Sequence, residues 1–140
     1  MNAPVEYLDL DDLLHLAASL LGDPPPVRDL GLLASAVARP SASAFGHDAY
    51  PDLVSKAAAL LQSVVINHAL VDGNKRLGWL STAVFLEING VRATAIDNDP
   101  VYGFVMWIAA SNPDVADITE RLTSLLVGAG AIDAPTWPSG

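Results

Sequence analysis

A histidine, a carboxylate, an asparagine and two cations fall within nine consecutive residues, His68-Ala69-Leu70-Val71-Asp72-Gly73-Asn74-Lys75-Arg76. The imidazole can accept a proton near neutral pH, and the acid four residues on can hold a divalent cation. Gly73, Asn74, Lys75 and Arg76 add backbone donors and positive charge suited to phosphate oxygens. Together these are the parts that phosphoryl transfer needs. Singly, each has a bland explanation. Asp-Gly-Asn is a common turn, and a histidine on an apolar stripe is usually packed or capping. It is their convergence that marks the stretch. It is not a P-loop, since no Gly-x-x-x-x-Gly-Lys-Ser/Thr occurs, and no Gly-x-Gly-x-x-Gly dinucleotide motif is present. A zinc hydrolase is disfavoured because His15 and His47 lie in unrelated segments, neither at ligand spacing from His68.

The flanking sequence reads as the frame for these residues. Upstream, Leu53, Val54, Ala57, Leu60, Leu61, Val64, Val65 and His68 recur at helical spacing, which predicts a long amphipathic helix ending with the imidazole on its apolar stripe. Downstream, Asn74 to Asn89 is apolar nearly all round, with Leu77, Trp79, Leu80, Val84, Phe85, Leu86 and Ile88, and Gly90 supplies a stop. This predicts a buried central helix whose first turn is Asn74-Lys75-Arg76. Free N–H groups, the positive end of the helix dipole and two cationic side chains would then meet at one anion-binding point.

The remaining segments predict further helices. Asp9 caps one running to about Leu21, with Gly22 as its stop, and Pro24-Pro25-Pro26 is a rigid connector. Asp29 caps a second through Leu30, Leu33, Ala34 and Val37, stopped by Pro40. Ser41 to Pro51 is expected to be a loop, and its length, with Phe45, His47 and Tyr50 aboard, points to a functional one. Val91 to Ile96 is left irregular for want of a strand partner. Asp99-Pro100 and Asn112-Pro113 are each expected to cap and open a helix. The sum is an all-α, single-domain bundle of about six helices over residues 1–127, with 128–140 as a flexible tail.

Composition narrows the function classes. An apolar fraction of 51% supports one compact core, while seven Lys/Arg against sixteen Asp/Glu, a formal charge of −9, disfavour a broad nucleic-acid or membrane surface. No apolar run approaches the roughly 20 residues that span a bilayer, and no basic-then-apolar leader opens the chain. A cytoplasmic location is expected. Without cysteine there is no disulfide and no thiolate metal site.

At His68, Asp72, Gly73, Asn74, Lys75 and Arg76 the sequence resembles the Fic/Doc family, whose signature runs His-x-Phe-x-Asp/Glu-Gly/Ala-Asn followed by Gly-Arg or Lys-Arg. The Lys form is similar to the Doc, or death-on-curing, branch, and the likeness extends from Leu32 to Gly90. Two positions depart from the pattern. Leu70 stands where Phe is usual and Ala69 where Pro is frequent; Leu70 still offers the loop an apolar anchor, of smaller size.

The resemblance implies an all-α fold and a toxin of a toxin–antitoxin pair that transfers the γ-phosphoryl group of ATP to a threonine of elongation factor EF-Tu and so stops translation. It implies His68 as the base, Asp72 as the residue that orients Mg²⁺ on the nucleotide phosphates, and Gly73, Asn74, Lys75 and Arg76 as the phosphate-binding group. Ser41 to Pro51 would be the substrate-docking flap. A Phd-like antitoxin is the implied partner, folding as a helix into an apolar groove. Restraint from a second chain is expected because none of Glu6, Glu87 and Glu120 lies in the Ser/Thr-x-x-x-Glu-Gly/Asn pattern of self-inhibited relatives. The alternatives are a Fic-type AMP transferase and a non-catalytic helical binding module.

Overall fold

Two aspartates open the first helix by capping one another. Asp9 Oδ1 accepts from the Asp12 N–H at 2.8 Å, and Asp12 Oδ2 accepts from the Asp9 N–H at 2.9 Å. The structure is a computed structural model that describes residues 3–134. Helix α1 spans Leu10–Leu21 and buries Leu13 and Ala17 before Gly22, with φ +106°, turns the chain. Asp29 caps α2, Leu30–Ala38, through the Leu32 N–H at 3.0 Å. The α-helix stops two residues before Pro40, as expected, but the chain keeps turning through a short 3₁₀ segment, Arg39–Ser41.

The segment expected to be a loop holds a small hairpin. Strands β1, Ser43–Ala44, and β2, His47–Asp48, pair antiparallel, with Ser43 opposite Asp48 and Ala44 opposite His47. The turn residues Phe45 and Gly46 have φ of +54° and +80°, the left-handed pair that suits a two-residue hairpin. Phe45 stands fully exposed at its tip. Strands two residues long carry no readable alternation, so no periodicity could announce them.

Helix α3, Leu53–Asn67, is the most enclosed element. Asp52 caps it at the Ser55 N–H, 2.8 Å away, and Ser55 to Leu61 are buried without a break, followed by Ser63, Val64 and Val65. It packs against α2, α4 (Asn74–Ile88), α5 (Asn98–Ser111) and α6 (Val115–Gly128). The centre of the bundle is therefore α3, with α4 beside it, where the sequence pointed to α4. The small run Ala57-Ala58-Ala59 admits neighbours on every side, which a single apolar stripe does not convey. Helix α4 returns the fit with small residues. A Cβ on Gly78 would lie 2.7 Å from Val65 Cγ2, and the buried Ser81 and Thr82 hydroxyls donate to the carbonyls of Leu77 and Gly78, each at 2.7 Å.

Both proline-marked helix starts are shifted. The N-cap of α5 is Asp97, with Pro100 in the third helical position, where its missing N–H costs nothing. Asn112, with φ +43°, closes α5, and Asp114 opens α6 by accepting from the Asp117 N–H at 2.9 Å. Val91 to Ile96 contains a 3₁₀ turn, Ala93–Ala95. Buried apolar residues from Leu13 to Leu126 join one core, and beyond α6 Ala131 and Ile132 still pack against it. The expected tail otherwise runs into residues 135–140, which lie outside the described residues. Among the described residues no helix is long and apolar enough to cross a membrane.

One cation lies in the core. Lys56 Nζ donates to Tyr50 O at 2.6 Å and to Pro40 O at 3.4 Å, and pairs with Asp48 at 3.1 Å, the one ion pair among the described residues. From the other side Arg39 donates to Gln62 Oε1 at 2.9 Å, to Ser63 Oγ at 2.6 Å and to the Tyr50 hydroxyl. Two cations thus fasten the base of the hairpin to α3. Lys56→Met keeps the side-chain length but leaves the buried Pro40 and part-buried Tyr50 carbonyls without this donor, and is expected to lower stability by about 2 kcal/mol. Urea unfolding checks this, and an unchanged midpoint would mean that the hairpin is held by other contacts.

Candidate active site

The chain leaves α3 through His68, which adopts a left-handed C-cap conformation with φ 53° and ψ 46°. Its imidazole is exposed, not on the apolar stripe as the spacing suggested. The helix ends at Asn67, and the reversal of φ at the next residue swings the side chain off the helical face. Ala69 and Leu70 then dive into the core. Leu70 therefore performs the anchoring expected of an apolar residue at this position.

Two sets of hydrogen bonds hold the loop. Asn74 spans it from within, with Oδ1 accepting from the Leu70 N–H and Nδ2 donating to Leu70 O, both at 3.0 Å. The connector before α2 holds it from outside. Val71 N–H donates to Pro26 O at 2.8 Å, Val27 bridges Leu70, and the N–H groups of Arg28 and Asp29 both donate to Ala69 O, at 2.8 and 3.0 Å. The Arg28 guanidinium donates to His68 O. Nothing in the sequence announced this connector as part of the site, because backbone pairing across 40 residues leaves no local pattern.

Gly73 turns the chain into α4 at φ +86° and ψ 12°, and a Cβ there would come within 2.6 Å of Leu21 Cδ2. Glycine is needed for both reasons, the positive φ and the close approach of α1. No side chain caps α4. Leu77 N–H returns to Gly73 O at 2.9 Å, which leaves the first-turn N–H groups of Asn74, Lys75 and Arg76, at the positive helix end, without an intrahelical partner. Lys75 and Arg76 are exposed and form no ion pair among the described residues. In a chain of charge −9, this turn carries two of its seven cationic side chains. The Asn74 amide is engaged in holding the loop, and its main-chain N–H points into the uncapped first turn.

Asp72 is exposed in the same loop. Among the described residues no cluster of three or more His, Asp or Glu side chains could cage a metal alone. A single exposed carboxylate, unpaired among the described residues and next to a helix start with free N–H groups, has the chemistry of a Mg²⁺ ligand, since Mg²⁺ ordinarily takes one or two protein carboxylates and completes its shell from phosphate oxygens and water. Every residue singled out by type and spacing therefore lies on one loop and one helical turn.

A model of the Fic/DOC family matches residues 7–86, more than half the chain. The chain belongs to the Fic/DOC family. It is similar to a protein named Toxin Doc from Mycolicibacterium smegmatis (strain ATCC 700084 / mc(2)155), 46% identical over 125 residues that cover 89% of this chain and 96% of that protein. The Fic/DOC match begins well before Leu32, where the resemblance in the bare sequence started, and takes in α1 and the Pro26–Asp29 connector. Both touch the loop, at Gly73 and at His68 to Val71.

A cavity of about 540 Å³ opens beside this Fic/DOC loop, between α4 and α5. Lys75 and Arg76 stand at its wall with Trp79, Tyr102, Val105 and Met106, whereas His68 and Asp72 do not line it. Thr94 closes one side. Its hydroxyl and N–H donate to Glu87 Oε1 at 2.7 and 3.1 Å, and these bonds hold the Glu87 carboxyl below its usual pKa.

Proposed function

We propose that this protein is the toxin of a toxin–antitoxin pair and a kinase that transfers the γ-phosphoryl group of ATP to a threonine of EF-Tu. Its site of action is then the cytoplasm, and its effect is to block translation. The observation that carries the kinase reading is Lys75, exposed in the second position of an uncapped helix. An AMP transferase of the family has glycine there, with room for the α-phosphate. A lysine fills that room and sets its ammonium among the terminal phosphates instead, where transition-state charge is spread.

In this reading His68 takes the proton from the threonine hydroxyl. The hydroxyl oxygen bonds to the γ-phosphorus as the bond from that phosphorus to the β–γ bridging oxygen breaks, releasing ADP. Asp72 holds Mg²⁺, which when bound neutralises phosphate charge. The Asn74, Lys75 and Arg76 N–H groups and the two cationic side chains hold the phosphates, so positioning and electrostatics supply most of the acceleration. The hairpin at Phe45, fastened through Lys56 and Arg39, is the flap that docks the target. The apolar cavity between α4 and α5 suits one face of an antitoxin helix, because its walls are aromatic and aliphatic while its cationic edge would accept acidic side chains.

The test is label transfer. Incubation with ATP, Mg²⁺ and EF-Tu is expected to move label from the γ-position to a threonine and to add the mass of one phosphoryl group. Transfer from the α-position alone would assign the protein to the AMP transferases. Nucleotide binding with no transfer to any protein would leave a helical binding module. Lys75→Gly is expected to lower phosphoryl transfer in the same assay, and unchanged transfer would mean that Lys75 does not select the chemistry.

A further inference from the structure

We propose that Arg28 is a positioning residue for His68, acting through the main chain at the end of α3. The proposal rests on His68 being the base, and it concerns how that base is aimed. Catalytic imidazoles are commonly oriented by a hydrogen bond from the second ring nitrogen to a carboxylate or carbonyl. Here, among the described residues, no side chain or carbonyl accepts from the exposed His68 ring. Its direction follows from the backbone instead, and that backbone is left-handed at a residue that is not glycine. Such a conformation persists only where the surroundings over-determine it.

Asp29, Pro26 and Asn74 hold the residues that follow, and Arg28 supplies the contact at His68 itself. Arg28 Nη2 donates to His68 O, and the Arg28 N–H donates to the next carbonyl, Ala69 O, at 2.8 Å. Two successive carbonyls at the reversal are thus taken by the two ends of one arginine. The guanidinium also supplies what α3 lacks, since no basic residue lies in the last turn of that helix and its carbonyl end carries partial negative charge. A charge-assisted bond from Arg28 meets that need from 40 residues away in sequence. Asp29 ties the same connector to α2 by capping it, so the guanidinium projects from an anchored main chain. Without it, residue 68 is free to relax toward right-handed or extended backbone, and the direction in which the imidazole leaves the chain changes with it.

The test compares wild type with Arg28→Ala, Arg28→Lys and His68→Ala. The backbone conformation of residue 68 is read from its Cα and Cβ chemical shifts in the isotopically labelled full chain, with no target or nucleotide present. Wild type is expected to give left-handed values at His68, Arg28→Ala to move them toward the average of a mixed backbone, and Arg28→Lys, which retains one cationic donor, to restore most of the difference. In phosphoryl transfer Arg28→Ala is expected to lower kcat about 10- to 100-fold while KM for ATP stays within about twofold, since the phosphate-binding turn is left intact. A merely structural role would move both constants together. Left-handed shifts preserved in Arg28→Ala would overturn the proposal, as would displaced shifts with kcat unchanged in a protein whose wild type is active. If wild type shows no transfer and behaves like His68→Ala, the catalytic reading of His68 fails. The shift measurement then still decides whether Arg28 sets the conformation there.

Discussion

His68→Ala is expected to abolish growth inhibition when the chain is produced in bacteria without a partner, while the fold survives. The imidazole is exposed and touches little, so its removal takes away a base and almost no packing. Some stability is lost for a different reason. Alanine tolerates φ of 53° less well than histidine does, and a cost of about 0.5–1 kcal/mol is expected from that alone. His68→Gly removes this ambiguity, because glycine meets the left-handed backbone freely, and it should be equally inactive. Growth curves and thermal unfolding of the two variants check both halves. Toxicity equal to wild type in either variant would sink the assignment of His68 as the base.

The second large effect is expected at Gly73, where α1, the loop and α4 meet. Gly73→Val places a Cβ within 2.7 Å of both Leu21 methyl carbons on a backbone at φ +86°. The Leu21 methyl groups end a flexible side chain and can retreat. The left-handed backbone cannot be relieved in that way, and a β-branched residue there costs about 2–3 kcal/mol. Any escape rotates the peptide before Asn74, whose amide spans the loop to Leu70 and whose N–H opens the first turn of α4, the proposed phosphate site. Loss of phosphoryl transfer by about 100-fold or more is expected, together with the lower stability. Gly73→Ala should show the same two changes at smaller size. Label transfer and urea unfolding give the measurement, and wild-type transfer by Gly73→Val would remove this turn from the site.

The charge balance bears on both results. Lys56 and Arg39 hold the hairpin, Arg28 holds the end of α3, and Arg121 lies 3.8 Å over the Trp107 ring, so Lys75 and Arg76 are the cations of this region free to meet a ligand. A dianionic or trianionic phosphate chain approaching a protein of charge −9 therefore has a narrow favourable target.

What could be read in the sequence was set by contacts a few residues apart. Asp9, Asp29 and Gly90 marked helix ends because a short acid can take a free N–H and glycine can adopt positive φ, both within a few residues. The apolar spacing of residues 53–65 and 77–88 placed two long helices, and the stretch from His68 to Arg76 fell on the junction between them. Tertiary structure decided what depends on distant partners. Which helix lies at the centre turned on Ala57-Ala58-Ala59 and on buried Ser55, Lys56 and Ser63, polar residues whose burial is possible only beside partners such as Tyr50 and Arg39. Helix starts near Pro100 and Pro113 could be set one or two residues either way, since proline is tolerated in a first turn, as at Pro100, and just before the cap, as at Pro113, and only packing selects the register. His68 was on the stripe by counting and off it in space, because a single reversed φ undoes the count. The grip of Arg28 and the Pro26–Asp29 connector on the loop was illegible for the same reason that backbone pairing is always hard to read: the main-chain N–H and carbonyl groups that make it are common to every residue.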